Sequence, residues 1–247
     1  MKKIVIVGAT SGIAIECARI WIKTEPANLM LVVRDLERAK PLVADLLVRS
    51  PESSVESIAC NFIDPSAISD MVRVIAKAGP IDIVLIAQGT LPDQLDCEND
   101  LILSNDTLAI NGVSPCLFAE AFANAMQGQV SGKIAIIGSV AGDRGRKSNY
   151  VYGAAKGLVA RYAEGMQHRF AATGIRVSLI KPGPTATAMT AKLRENGLKC
   201  ASADSVAQDI VHGIEKGQAV IYAPKKWQLI MLIVRHIPAV IFNKLNI

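Results

Sequence analysis

The chain has 247 residues, 51% of them apolar and 20% charged, which excludes a disordered segment and allows one large domain with a buried core. Its net charge of +5 comes from 27 basic and 22 acidic residues, but the basic residues are dispersed and aromatics are only 4%, so no nucleic-acid platform is expected. Five scattered cysteines (Cys17, Cys60, Cys97, Cys116 and Cys200) show neither metal-ligand spacing nor a disulfide framework, so no metal site and a reducing, cytoplasmic setting are expected.

In chain order, Met1-Lys2-Lys3 precedes the apolar run Ile4–Val7. That run stops at Gly8, short of the roughly 7–15 residues of a secretory signal core, and reads as a first buried strand. Further β-rich runs follow at Leu29–Val33, Ser57–Cys60, Ile81–Ile86, Ile134–Ile137, Val177–Ile180 and Ala219–Tyr222. Between them lie segments of helical spacing, such as Ile13, Cys17, Ile20 and Trp21, or Leu36, Leu42, Val43, Leu46 and Leu47. Continuous apolar strands alternating with helices predict a parallel sheet covered on both faces. The fold class is therefore α/β, a Rossmann-type doubly wound sheet of about seven strands flanked by helices. Without an internal repeat or a Pro/Gly-rich linker, residues 1–247 read as a single dinucleotide-binding domain. No stretch approaches the roughly 18 apolar residues of a membrane span.

Such sheets bind ligands outside the carboxyl ends of their strands, and the unusual residues stand there. Gly8-Ala9-Thr10-Ser11-Gly12-Ile13-Ala14 follows the first strand. Gly8 permits a tight turn, and Gly12 lets the backbone approach a diphosphate at the N-terminus of the next helix. Thr10 and Ser11 add hydroxyl donors, while Ala14 stands where a third glycine is usual. After the second strand comes Arg34-Asp35. An acid there favours the ribose of NAD(H), an arginine the 2′-phosphate of NADP(H). Arg34 is nearer the strand end, so NADP(H) is expected.

Tyr152 and Lys156 are four positions apart in a long helical segment, which puts phenol and ammonium on one face. A tyrosine near pKa 10 is a weak acid–base catalyst unless a neighbouring cation lowers it. Ser139 ends the fifth strand, thirteen positions upstream of Tyr152, where its hydroxyl can point into the crevice.

With these motifs the chain resembles the short-chain dehydrogenase/reductase family over nearly its full length. The resemblance rests on Gly8, Gly12 and Ile13, on Ala87-Gln88-Gly89, on Ile110-Asn111, on Ser139, on Tyr152 and Lys156, and on Pro182-Gly183. It implies that Tyr152 is the general acid in reduction and the base in oxidation. Lys156 would bind the nicotinamide ribose and depress the tyrosine pKa, Ser139 would orient the carbonyl, and Asn111 would help hold a water of the proton relay. Pro182, Gly183, Thr185 and Thr187 match the segment over nicotinamide and phosphates, and Asn61-Phe62 replaces an Asp-hydrophobic pair near the adenine. Gln88 departs from the usual Asn-Ala-Gly. A homodimer or homotetramer is expected by the same resemblance.

Residues 141–146, 150–156, 223–224 and the C-terminal stretch are also similar to the reductases of polyprenylphosphoryl-2-keto-pentose, which implies a lipid-linked keto-sugar substrate. Arg144 and Arg146 then become candidate phosphate ligands. Residues 225–247 carry Lys225, Lys226, Arg235 and Lys244 among apolar residues with no acid, a pattern suited to an anionic membrane surface, here the inner face. Burial of that segment at a subunit interface is the rival reading. A soluble reductase of a small ketone or 3-oxoacyl thioester shares the same Tyr and Lys, and a nucleotide-sensing binding protein shares the fold.

Overall fold

The structure is a computed structural model and describes residues 1–245. Strand β1 (Lys2–Val7) sets the pattern for the sheet. Successive side chains of a strand point to opposite faces. Ile4 and Ile6 accordingly enter one core and Val5 and Val7 the other, none more than 1% exposed. The expected apolar runs become β2 (Ala27–Val33), β3 (Ser54–Ala59), β4 (Ile83–Ile86), β5 (Gly132–Ile137) and β6 (Ile175–Pro182). Two short strands, β7 (Thr185–Ala186) and β8 (Ala201–Ser202), pair with each other, and β9 (Val220–Ala223) closes the main sheet. Seven parallel strands lie in the order β3-β2-β1-β4-β5-β6-β9. The winding reverses between β1 and β4, which opens a crevice at their carboxyl ends.

The helices follow in chain order: α1 (Gly12–Thr24), α2 (Lys40–Arg49), α3 (Pro65–Lys77), α4 (Gln94–Asn99), α5 (Leu101–Leu108), α6 (Ser114–Ala125), α7 (Tyr150–Arg169), α8 (Ala191–Glu195), α9 (Ala203–Glu215), α10 (Lys226–His236) and α11 (Ala239–Phe242). On one face α1, α2 and α9 bury Cys17, Trp21, Leu46 and Ile210; on the other α3, α6 and α7 bury Ile75, Phe118, Phe122 and Val159. Helix α3 shows how a start is fixed locally: the Asp64 carboxylate accepts from the Ser66 and Ala67 amides, and Pro65 occupies the first turn.

The basic segment beginning at Lys225 forms α10 and α11 beside the β9 edge, and its residues 246 and 247 lie outside the described residues. No helix among the described residues is long and apolar enough to cross a membrane.

Candidate active site

A cavity of about 320 Å³ fills the crevice at the switch point. Gly8, Thr10, Ser11, Gly12, Arg34, Asn61, Phe62, Ala87, Gly89 and Thr187, all expected from the sequence, line it. Gly8 has φ +72°, and a Cβ on it would meet the Gln88 backbone at 2.7 Å. Only glycine permits that turn, because L side chains are strained there. The amide ends of α1 face the cavity from Ser11 and Gly12 without a side-chain cap, an arrangement suited to a diphosphate. Ile13, Pro182, Gly183 and Thr185 do not line the cavity. Ile13 packs on the core, and the Thr185 hydroxyl donates to the Gly183 carbonyl at 2.9 Å.

At the far end of the cavity the two residues after β2 part company. Asp35 Oδ1 accepts from the Glu37 amide at 2.9 Å and so caps a short 3₁₀ turn. Arg34 is exposed on the cavity wall, and Arg38, which the sequence reading missed, joins it. Among the described residues neither arginine pairs with an acid. Their spacing of four across the turn was the available signal. Asn61 Oδ1 accepts from the Ile63 amide at 3.2 Å, and Phe62 packs edge-on against Phe118 with ring centroids 5.3 Å apart.

Next to the cavity, α7 brings Tyr152 and Lys156 against the end of β5. Lys156 is 2% exposed and its Nζ donates to the carbonyl of Ile137, the last residue of β5, at 3.0 Å. The ammonium sits 5.7 Å from the centre of the Tyr152 ring. Gly89 links this group to the cavity: a Cβ there would lie 2.8 Å from Asn111 Oδ1 and 3.8 Å from Lys156 Nζ. Asn111 is fully buried in a π-helical turn (Ala109–Val113) that interrupts the helix. Its Oδ1 accepts from the Thr90 amide at 2.9 Å, and its Nδ2 donates to the Thr107 carbonyl at 2.9 Å. Thr90 had not been expected. Ser139 Oγ accepts from the Ala141 amide at 3.1 Å, which leaves its hydroxyl proton to donate elsewhere.

The electrostatics differ from the expectation of a lowered phenol. Burial pushes Tyr152 up, with the Ser139 hydroxyl acting in the opposite direction. Burial also pushes Lys156 down, to about 8. Tyr152 is therefore a neutral phenol at neutral pH, competent to give a proton.

The loop after Ser139 is tied to the C-terminal segment, against the expectation that both its arginines stand ready for phosphate. The Lys181 ammonium and the Tyr222 hydroxyl both bond the Asp143 carboxylate, the latter at 2.9 Å. Arg144 Nη1 donates to the carbonyls of Val234 and Ile237, each at 2.6 Å, and the guanidinium lies 3.7 Å above the Phe242 ring. Arg144 thus holds the end of α10. Arg146 is looser: Nη2 reaches Met231 Sδ at 3.4 Å, while its buried Nε has no partner among the described residues. Trp227 of α10 covers Gly183, where a Cβ would meet Trp227 Nε1 at 1.9 Å.

A doubly wound sheet with a crevice of this make at its switch point belongs to the dinucleotide-fold enzymes. The family model described as short chain dehydrogenase matches residues 2–197, and the chain belongs to this family and is an oxidoreductase. It is 26% identical over 247 residues to an uncharacterised oxidoreductase of Streptomyces coelicolor, covering 99% of this chain and 96% of the other. It is also 26% identical over 248 residues to an uncharacterised oxidoreductase of Mycobacterium tuberculosis, with 98% and 96% covered. Among solved structures, a short chain dehydrogenase from Burkholderia cenocepacia in complex with NADP superposes with TM-score 0.83 at 17% identity, covering all of both chains. A short-chain dehydrogenase from Sphingobium yanoikuyae in complex with NADPH gives TM-score 0.78 at 21% identity over 97% of each.

Proposed function

We propose that the protein is an NADP(H)-dependent carbonyl reductase with Tyr152 as its general acid. The observation that carries this reading is a half-buried Tyr152 placed with Ser139 and Lys156 at the end of β5, beside a glycine-lined cavity. Thr10, Ser11 and Gly12 at the start of α1 would hold the diphosphate, and Asn61 and Phe62 the adenine side. Ala87, Gly89 and Thr187 would flank the nicotinamide half, with Lys156 on its ribose. Arg34 and Arg38, without an acidic partner among the described residues, favour a 2′-phosphate, and one oxygen of Asp35 already accepts from the Glu37 amide. When bound, the reduced nicotinamide supplies a hydride to the carbonyl carbon.

Tyr152 then gives its phenolic proton to the carbonyl oxygen, so that the ketone becomes a secondary alcohol and the tyrosine a phenolate. Ser139 donates a hydrogen bond to the same oxygen and orients it, keeping its own proton. The Lys156 ammonium stabilises the phenolate across a poorly solvated gap. Asn111 serves the water relay that reprotonates Tyr152.

For substrate, the reading is a keto-sugar carried on a polyprenyl phosphate, which brings the enzyme to a membrane surface. Its support is the similarity around residues 141–146 and 150–156 and the Arg146 Nε, which has no partner among the described residues and is a donor that a phosphate oxygen would satisfy. NADPH oxidation measured with a polyprenylphosphoryl 2-keto-pentose, small ketones and 3-oxoacyl thioesters tests it. Tyr152→Phe should lower kcat about 10²–10⁴-fold and leave NADPH affinity in place. Faster turnover of a small ketone or thioester would replace the lipid-linked substrate, and an unchanged kcat in the variant would remove Tyr152 from the chemistry.

A further inference from the structure

The C-terminal helices leave a surface that the fold does not cover. Met231 is buried and Trp227 and Val234 are partly buried, so this side of α10 faces the protein. The other side presents Leu229, Leu232 and Ile233, exposed by 63%, 56% and 60%. Past the bend at Pro238, Val240 and Ile241 of α11 are exposed as well. Lys225, Lys226, Arg235 and Lys244 stand exposed around these apolar residues, and no Asp or Glu follows Glu215 in the sequence.

We propose that this surface docks on an anionic lipid bilayer, with α10 and α11 lying in the headgroup layer beside the mouth of the crevice. The helices are too short to span, and an apolar stripe edged only by cations matches the interfacial mode of binding. A two-fold contact with a second copy fits less well. Such a contact pairs a patch with itself, which would set these cations against their own copies. The placement follows from contacts already described: Arg144 holds the end of α10, Arg146 reaches Met231, and Trp227 covers Gly183. A docked α10 therefore lies against both loops that border the reacting groups. The surface stands on exposure and charge and does not depend on the substrate reading.

The remaining protein rival is head-to-tail contact with the acidic stretch Asp93–Asp106 of another copy, where Leu101 and Ile102 are exposed. The test uses the full chain, without substrate or cofactor, mixed with vesicles of phosphatidylcholine alone or with phosphatidylglycerol. Co-sedimentation is expected only with the anionic vesicles, weakened roughly ten-fold or more at high salt. It should be lost in the Leu232→Glu/Ile233→Glu double variant at an unchanged melting temperature. Lys225→Glu/Lys226→Glu should weaken it without unfolding the chain. Absent or equal binding to the two vesicle types would overturn the proposal. So would a soluble oligomer that dissociates in the Leu232→Glu/Ile233→Glu variant while vesicles stay unbound.

Discussion

Two pairs of arginines follow strand ends of the sheet, and their surroundings differ. Arg34 and Arg38 follow β2, are exposed, and reach the cavity wall with no acidic partner among the described residues. Arg144 and Arg146 follow β5 and turn back onto the C-terminal helix, where Arg144 meets two carbonyls at 2.6 Å and an aromatic face. As written in the sequence, both are pairs of cations just past a strand end. The difference lies in what the fold brings up to them. Residues 34–38 of the loop after β2 are exposed, whereas the loop after β5 meets β6, β9 and α10 at once. One pair is open to the cavity, and the other is tied to the C-terminal segment.

The largest break in this contrast should come from Asp143, whose carboxylate anchors the second loop to Lys181 and Tyr222. The Lys181 and Asp143 side chains are only 8% and 3% exposed, and removing one partner of a buried pair costs about 3–5 kcal/mol. Asp143→Ala should therefore lose that much in chemical denaturation, and a loss below about 1 kcal/mol would show that the anchor is weak. Next in size, Arg34→Ala should weaken NADPH binding by about 1.5–3 kcal/mol, roughly 10- to 150-fold, and leave NADH nearly unchanged. Equal effects on both cofactors would assign Arg34 to something other than a 2′-phosphate.

Arg144→Ala is expected to cost about 1–2 kcal/mol, from the lost helix-end cation and the lost stacking on Phe242. That corresponds to a melting temperature lower by roughly 2–8 °C in a chain of this size. Cofactor affinity should stay as it was, which sets Arg144 apart from Arg34 in a single pair of measurements.

The last effect is one of pH. Burial lowers Lys156 from 10.5 to about 8. Between those values the unfolded chain binds more protons than the folded one, so this residue makes stability rise as pH climbs from about 8 to 10.5. Below 8 its burial costs a constant amount. Melting curves of Lys156→Met against wild type should show the variant's relative advantage greatest below pH 8 and shrinking toward 10.5; a difference independent of pH would mean the ammonium is not strained by burial.

How much of this was legible beforehand followed from the physics of each element. The five inner strands of the sheet announced themselves closely, because a strand covered on both faces is a continuous apolar run, as in Ile83–Ile86, and the edge strand β9 keeps such a run in Val220–Ala223. The exception is β3, at the other edge, which begins at Ser54 and sets exposed Ser54, Glu56 and Ser57 around partly buried Val55 and Ile58. Strands β7 and β8, of two residues each, are too short to carry a period. The phosphate turn could be read because its two glycines, Gly8 and Gly12, fall within five consecutive positions just after the first strand. The attachment of Arg144 could not, because its partners lie some ninety positions onward and are backbone carbonyls, which carry no residue identity. Arg38 was hidden for a simpler reason: a short turn, held by Asp35, brings it back beside Arg34.

Gly183 and Trp227 have a consequence for how such a chain can vary. A methyl group at 183 would overlap the indole, with 1.9 Å left to Nε1, so the two positions share one volume. Ala at 183 becomes admissible only alongside a smaller side chain at 227. Descendants of this sequence should therefore exchange the two residues as a matched set, with the width of the strand end inherited together with the shape of the tail.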